Sequence, residues 1–281
     1  MKATNMHSWL RFCLLAAMGA VLPPSCSLPE SVETGEQEDA GSRALTEPER
    51  LAAVAGGREL YRTACGTCHG SRGDGKGPSA AALDPRPRDF TRGLYKWRST
   101  ESGSLPLEGD IFRTITRGVP GTMMPAWGNL LSATQRRDLV EHLKTFSSRF
   151  TEEPVQKEEI VEIPASVPAT AESIARGKTL FEQNKCWECH GSEGRADGPA
   201  AATLKDSWGK PITPFDFTTG RYRCGGTDRD VYRTFFTGLN GTPMPSYALT
   251  LPEADRWTLV HYVRSLERRP GLLERFFIEV P

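Results

Sequence analysis

The sequence has no excess of charge of either sign. Lys and Arg number 35, Asp and Glu number 35, and the formal net charge is zero. A nucleic-acid partner needs a basic surface, so that function class has no electrostatic support. Long apolar runs are also missing, and nothing in the chain after residue 25 could span a bilayer. Histidine and methionine are scarce, with 5 His and 6 Met in 281 residues. Any that recur in a pattern therefore stand out. No alternation of apolar and polar residues marks a strand.

What is there begins with a targeting segment. Lys2 and Arg11 give a positive start, and Leu14 to Leu22 is a short apolar core. This reads as an export signal over residues 1–25. Ser25-Cys26 follows at once and resembles the bacterial lipoprotein signal, with a departure at Pro23, where that family usually has Leu. The expectation is an exported chain on the periplasmic side, lipid-anchored through Cys26. Ordinary signal cleavage nearby is the alternative. Residues 26–45 are rich in Glu, Ser and Gly and poor in large apolar side chains, so they read as a flexible tether.

The cysteines are 7 in number. Cys13 leaves with the signal, Cys26 is the lipid candidate, and four more fall in two short motifs. Only Cys224 remains, so no structural disulfide is expected. If Cys26 stayed unmodified, a Cys26–Cys224 bond would become available.

The two motifs are Cys65-Gly66-Thr67-Cys68-His69 and Cys186-Trp187-Glu188-Cys189-His190. Both read Cys-x-x-Cys-His, the attachment signature of a c-type haem. Two thiols one turn apart can each close a thioether on a haem vinyl group. The histidine that follows is then held over the haem face, where a ring nitrogen can bind iron. A zinc knuckle or a dithiol redox pair would use the same residues, but the recurrence of the motif with a methionine at matching distance favours two covalent haems.

The motifs belong to an internal repeat. Gly57-Arg58-Glu59-Leu60-Tyr61 matches Gly177-Lys178-Thr179-Leu180-Phe181. Pro87-Arg88-Asp89-Phe90-Thr91 matches Pro214-Phe215-Asp216-Phe217-Thr218, after a longer insertion in the second copy. Asp110-Ile111-Phe112-Arg113-Thr114 matches Asp230-Val231-Tyr232-Arg233-Thr234. Gly121-Thr122-Met123-Met124-Pro125 matches Gly241-Thr242-Pro243-Met244-Pro245.

One domain is therefore expected over 46–150 and a second over 170–270. Residues 151–169 read as an extended, semi-rigid Glu/Pro-rich linker, and 271–281 as an apolar tail without a counterpart. Thr46-Glu47-Pro48-Glu49 predicts the start of a helix, and Gly56-Gly57 either breaks it or marks a close-packing spot. Ser132-Ala133-Thr134-Gln135 predicts a capping box opening a C-terminal helix, and Thr250-Leu251-Pro252-Glu253 opens its equivalent. The Gly- and Pro-rich middles read as loops.

This order of helix, Cys-x-x-Cys-His, loops, Met-Pro and terminal amphipathic helix resembles a class I cytochrome c, twice over. The stretch from Arg88 to Pro106 resembles a subgroup of bacterial respiratory-chain cytochromes. The resemblance implies an all-α fold of two tandem class I cytochrome c-like domains, each wrapping one covalently attached haem. It implies His69 and His190 as proximal iron ligands and a methionine opposite each, a pairing that raises the reduction potential. The repeat pairs Met124 with Met244 and Met123 with Pro243, which cannot ligate, so Met124 is the expected ligand.

His142 and His261 are not His in both copies and read as surface or packing residues. Trp97 aligns with Cys224. The resemblance makes Trp97 a candidate contact of the haem propionates, with Arg98, Arg221 and Arg223 nearby as pairing partners or as solvated surface. Cys224 is either a small buried residue or a redox-active thiol.

The function expected is single-electron transfer by a dihaem cytochrome in a membrane-associated respiratory chain. It would act as a carrier or as a subunit of a larger redox complex, with redox proteins as partners. The alternative is a dihaem enzyme, thiosulfate dehydrogenase-like or peroxidase-like, working at the second haem. The first domain carries more basic than acidic side chains, which suits an acidic partner face.

Overall fold

The computed structural model describes residues 44–268. The expected export signal over 1–25, the lipid candidate Cys26, nearly all of the tether over 26–45 and the tail over 271–281 lie outside the described residues.

The described chain is helical. Among the described residues no strand forms, and isolated bridges join Thr100 to Ile160 and Lys205 to Pro211. No helix among them is long and apolar enough to cross a membrane. In the first repeat, α1 spans Glu47–Leu60 and passes through one wide π-helical turn, Tyr61–Cys65, into α2, Gly66–His69. α3 (Glu108–Arg117) and α4 (Ala133–Lys144) follow, and a short α5 (Arg149–Glu152) leaves the repeat. The second repeat holds α6 (Ala171–Gln183), α7 (Trp187–His190), α8 (Asp228–Thr237) and α9 (Glu253–Ser265).

The helix ends obey their local chemistry. Thr46 N donates to Glu49 Oε2 at 2.8 Å at the start of α1. Ser132 and Gln135 close a reciprocal box on α4, with Ser132 N to Gln135 Oε1 at 2.9 Å and Gln135 N to Ser132 Oγ at 3.2 Å. Each pair satisfies amide donors that an α-helix leaves open in its first turn. Gly56-Gly57 does not break α1; Gly57 is buried where α1 crosses α4. α6 crosses α9 in the same way at Gly177.

One expectation is corrected. The Gly- and Pro-rich middles are not loops throughout, because each contains a helix, α3 or α8. Asp110 accepts from Leu107 N at 3.0 Å, and Thr227 accepts from Asp230 N at 3.2 Å, so each helix is capped by a short polar side chain. Their apolar faces bury Ile111 and Ile115, and Val231 and Phe235. The residues of the expected semi-rigid linker make contacts toward both repeats. Glu101 N donates to Glu159 O at 2.8 Å and Val161 N to Ser99 O at 2.8 Å, which ties it to the first repeat. Val161 and Ile163 then pack on the second core, and Arg229 donates to Ile163 O at 3.4 Å.

Each repeat has its own hydrophobic core. Polar contacts join the two. Arg98 is wholly buried and donates across to the carbonyls of Thr237 and, at 3.2 Å, Gly238. Arg117 pairs with Asp230 at 3.0 Å, and Asn240 accepts from Gly103 N at 3.0 Å. His142 and His261 are both buried, so packing rather than surface is their role. His142 lies edge-on to Tyr61 at 5.2 Å, as Tyr262 does to Phe181 at 5.3 Å.

Candidate haem centres

The first motif emerges from the π turn that follows α1, so Cys65, Cys68 and His69 share a short helical segment. The second begins at Cys186, which opens α7. In both copies the histidine is fixed by the same two contacts. His69 Nδ1 lies 3.0 Å from Arg88 O, and His190 Nδ1 lies 3.0 Å from Phe215 O. A carbonyl oxygen can only accept, so Nδ1 carries the proton and Nε2 keeps a bare lone pair. The rings stack on Phe90 at 4.7 Å and on Phe217 at 4.6 Å. Burial pushes both imidazoles below their ordinary pKa and keeps them neutral, as a metal ligand must be.

The methionine loops match equally well. α3 ends at Gly118 and α8 at Gly238, with φ of 65° and 69°. A Cβ on Gly118 would lie 2.5 Å from the carbonyl of Pro125, so the loop returns over its own helix end. Val119 N donates to Met124 O and Leu239 N to Met244 O, each at 3.1 Å. Thr122 and Thr242 hydroxyls accept from Met124 N and Met244 N at 3.1 and 3.2 Å. Met124 is half-buried, whereas Met123 is 74% exposed.

In the second repeat these parts meet. A cavity of about 580 Å³ is lined by Cys186, Cys189, His190 and Met244. Burial raises the Cys186 thiol to about 11, and that of Cys65 to about 11. Such thiols stay protonated near neutrality, which does not suit a reactive dithiol. Among the described residues no three His, Cys, Asp or Glu side chains gather in a metal-binding cluster.

The same cavity reaches the first repeat through Arg88, Lys96 and Trp97, and Arg223 stands on the opposite wall. Burial, then Arg88 and Arg223, push the Lys96 amine down to about 8. Burial holds Arg88 down to about 10, opposed first by the Asp206 carboxylate and then by the Tyr95 phenol. Tyr95 Oη is itself buried without a partner. Crowded cations along an apolar pocket fit a flat group that carries carboxylates, as haem does.

The expected propionate partners separate in the structure. Arg98 spends its donors on Thr237, Gly238 and Glu101 carbonyls and serves the join between repeats. Arg221 is exposed, and Arg223 lines the cavity. Trp97 stands in the wall of the second repeat's cavity, although its sequence position is in the first. Cys224 lines that cavity too, and burial raises its thiol to about 11. Arg88, Lys96 and Trp208 belong to no ligand or attachment motif in the sequence. Only the unmatched insertion around Trp208 carried a signal, and it pointed to a difference between copies rather than to a site.

Comparison with known proteins finds a cytochrome c family match in each repeat. The family model described as cytochrome c matches residues 174–267, and that described as cytochrome c oxidase, cbb3-type, subunit III matches residues 52–143. A cbb3-type cytochrome c oxidase subunit CcoP of Azospirillum sp. (strain B510) is 29% identical over 76% of this chain and 62% of its own length. The same subunit of Azospirillum brasilense is 27% identical over the same shares. The chain thus spans 62% of the length of these curated relatives. A chain of the reducing HAO-like protein complex of Kuenenia stuttgartiensis is 45% identical, with a TM-score of 0.73, and the match covers 80% of this chain and 98% of that one.

Proposed function

The chain belongs to the dihaem class I cytochromes c, with two covalently bound haems, and on that premise we propose that it passes single electrons as the cytochrome subunit of a respiratory redox complex on the periplasmic side of a membrane. Relatives named as oxidase subunits and as part of a protein complex support a bound subunit over a free carrier. The export signal and Cys26 support a lipid-anchored, exported chain.

Cys65, Cys68, Cys186 and Cys189 would form the thioethers, His69 and Met124 would hold the first iron, and His190 and Met244 would hold the second. The observation that carries this reading is the matched imidazole, held through Nδ1 at 3.0 Å by a backbone carbonyl in both copies. The haem, when bound, supplies a one-electron iron couple, and a methionine thioether opposite histidine raises its potential. The chain's own work is to hold the ligands, exclude water with Phe90 and Phe217, and meet the haem carboxylates with Arg88, Lys96, Trp97 and Arg223. With a histidine and a methionine held to each iron, no open site would remain there for a substrate.

The test is an optical redox titration of the mature, haem-loaded protein with haem counted per chain. Two haems, with the near-red band of methionine-ligated ferric haem reduced by Met124→Ala and by Met244→Ala, is the expected outcome. An unchanged band in either variant rejects that ligand.

One observation favours a second reading. Cys224 lines the second cavity, which would suit a redox enzyme working there. Retention of the spectrum in Cys224→Ala is expected; a changed spectrum there, with Met244→Ala silent, would favour the enzyme.

A further inference from the structure

The second repeat has residues 200–213 where the first has only 79–86, and the extra length builds a small loop. Lys205 pairs with Pro211, and Ile212 N donates to Leu204 O at 3.1 Å. Asp206 Oδ1 accepts from Trp208 N and from Lys210 N, both at 2.9 Å. Gly209 takes a φ of 72° to close the turn. The loop is thus pre-organised, with Trp208 at its tip.

Trp208 crosses to the first repeat. Its Nε1 donates to Asp89 Oδ2 at 3.0 Å, and the guanidinium groups of Arg88 and Arg92 each lie 5.0 Å from its ring. Arg92 also donates to Ser207 O at 3.2 Å. Arg88 is the residue whose carbonyl faces His69 Nδ1. The other edge of the same indole rests on Gly241. A Cβ on Gly241 would lie 2.8 Å from Trp208 Cζ3, and Ser207 N donates to Gly241 O at 3.1 Å. Gly241 opens the turn that carries Met244. The matching Gly121 in the first repeat has nothing within 4 Å of such a Cβ.

One side chain therefore touches the segment that orients the histidine of the first centre and the turn that presents the methionine of the second. We propose that Trp208 is a positioning residue that couples the two haem centres, so that the ligand geometry of each sets part of the potential of the other. The histidine's Nδ1–H···O contact tunes how strongly the imidazole donates to its metal. A shift of the Arg88–Asp89 backbone changes that contact. The indole transmits the shift to the Met244 turn, and the converse holds, since coupling between sites is reciprocal.

The proposal rests on Met244 and His69 being iron ligands, and its test separates the two. The midpoint potential of each haem is measured by redox titration of the intact, doubly loaded protein. The set comprises wild type, Met244→Ala, Trp208→Ala and the double variant, with Asp89→Asn, which weakens the Nε1 contact, and Trp208→Phe, which loses it and shortens the reach to Gly241, as milder forms. The expected result is that Met244→Ala shifts the potential of the first haem in the wild-type background and shifts it much less once Trp208 is gone. The milder variants should lie between. An equal shift with and without Trp208, in the alanine or the milder forms, overturns the coupling while leaving the ligands intact. If Met244→Ala leaves the second haem's spectrum unchanged, the ligand assignment fails, and the coupling fails with it.

Discussion

Gly177 of α6 lies directly on the backbone of Thr258 in α9: a Cβ there would sit 1.9 Å from the Thr258 carbonyl oxygen. Gly57 of α1 meets Asp138 of α4 in the same way, at 2.0 Å. Each repeat is closed by this crossing, and its closeness is set by the absence of one carbon.

Alanine at either glycine has two opposed effects. It favours a helix by roughly 1 kcal/mol over glycine. It also forces apart two helices whose backbones touch, which costs about 1–3 kcal/mol or more in a packed core. The colliding atom is backbone and cannot swing aside, so the collision wins. Gly57→Ala and Gly177→Ala should each lower the denaturation midpoint of the holoprotein, and either one raising it would reject the crossing as drawn.

Asp230 holds the join between repeats. Its side chain is 1% exposed and accepts from Arg117 at 3.0 Å and Arg233 at 2.8 Å. Its removal leaves buried positive charge uncompensated, so Asp230→Ala should cost about 3–5 kcal/mol in chemical denaturation. Arg117→Ala should cost far less, roughly 1 kcal/mol, because the arginine is partly exposed and Arg233 still satisfies the carboxylate. Equal losses in the two variants would mean that the pair, rather than the buried acid, carries the energy.

The parts legible in the sequence are those whose chemistry is local. Cys-x-x-Cys-His must be contiguous to reach one haem edge, and a capping box such as Ser132–Gln135 closes within one turn. The repeat carried more, since pairing Met124 with Met244 needs two copies side by side, and the two loops share their hydrogen bonds. α3 and α8 were hidden because glycines and prolines at their flanks outweighed one short amphipathic face. The contacts of Arg98 with Thr237 and of Trp208 with Asp89 join residues more than a hundred positions apart, and no pattern announces them. What lay between the domains was therefore the least readable part of the molecule.

Met123 and Met124 differ by position, not by chemistry. Met123 is 74% exposed, while Met124 shares the turn hydrogen bonds of Met244. Met123→Ala should leave the near-red band and both potentials as they are. Met124→Ala should remove about half of the band, the share of one haem in two, and lower one potential, since the thioether is what raises it. Loss of the band in Met123→Ala instead would exchange the two assignments.

Acid should loosen the α1–α4 crossing. Burial, and secondarily the charge of Arg58, lower the pKa of His142 from its ordinary 6.5. Its Nδ1 is buried without a partner, so the neutral ring is tolerated and the charged ring is penalised. The unfolded chain then binds a proton more readily than the folded one. Stability is complete above pH 6.5 and falls as pH drops through 6.5 toward the lower folded value. His69 and His190, held as ligands in the loaded protein, do not take part in that window. His142→Tyr copies the second repeat, where Tyr262 packs on Phe181 as His142 packs on Tyr61, and it removes the titrating group. Denaturation midpoints measured from pH 8 to pH 5 should therefore fall more gently in His142→Tyr than in wild type. Identical slopes would place the acid sensitivity elsewhere than at the α1–α4 crossing.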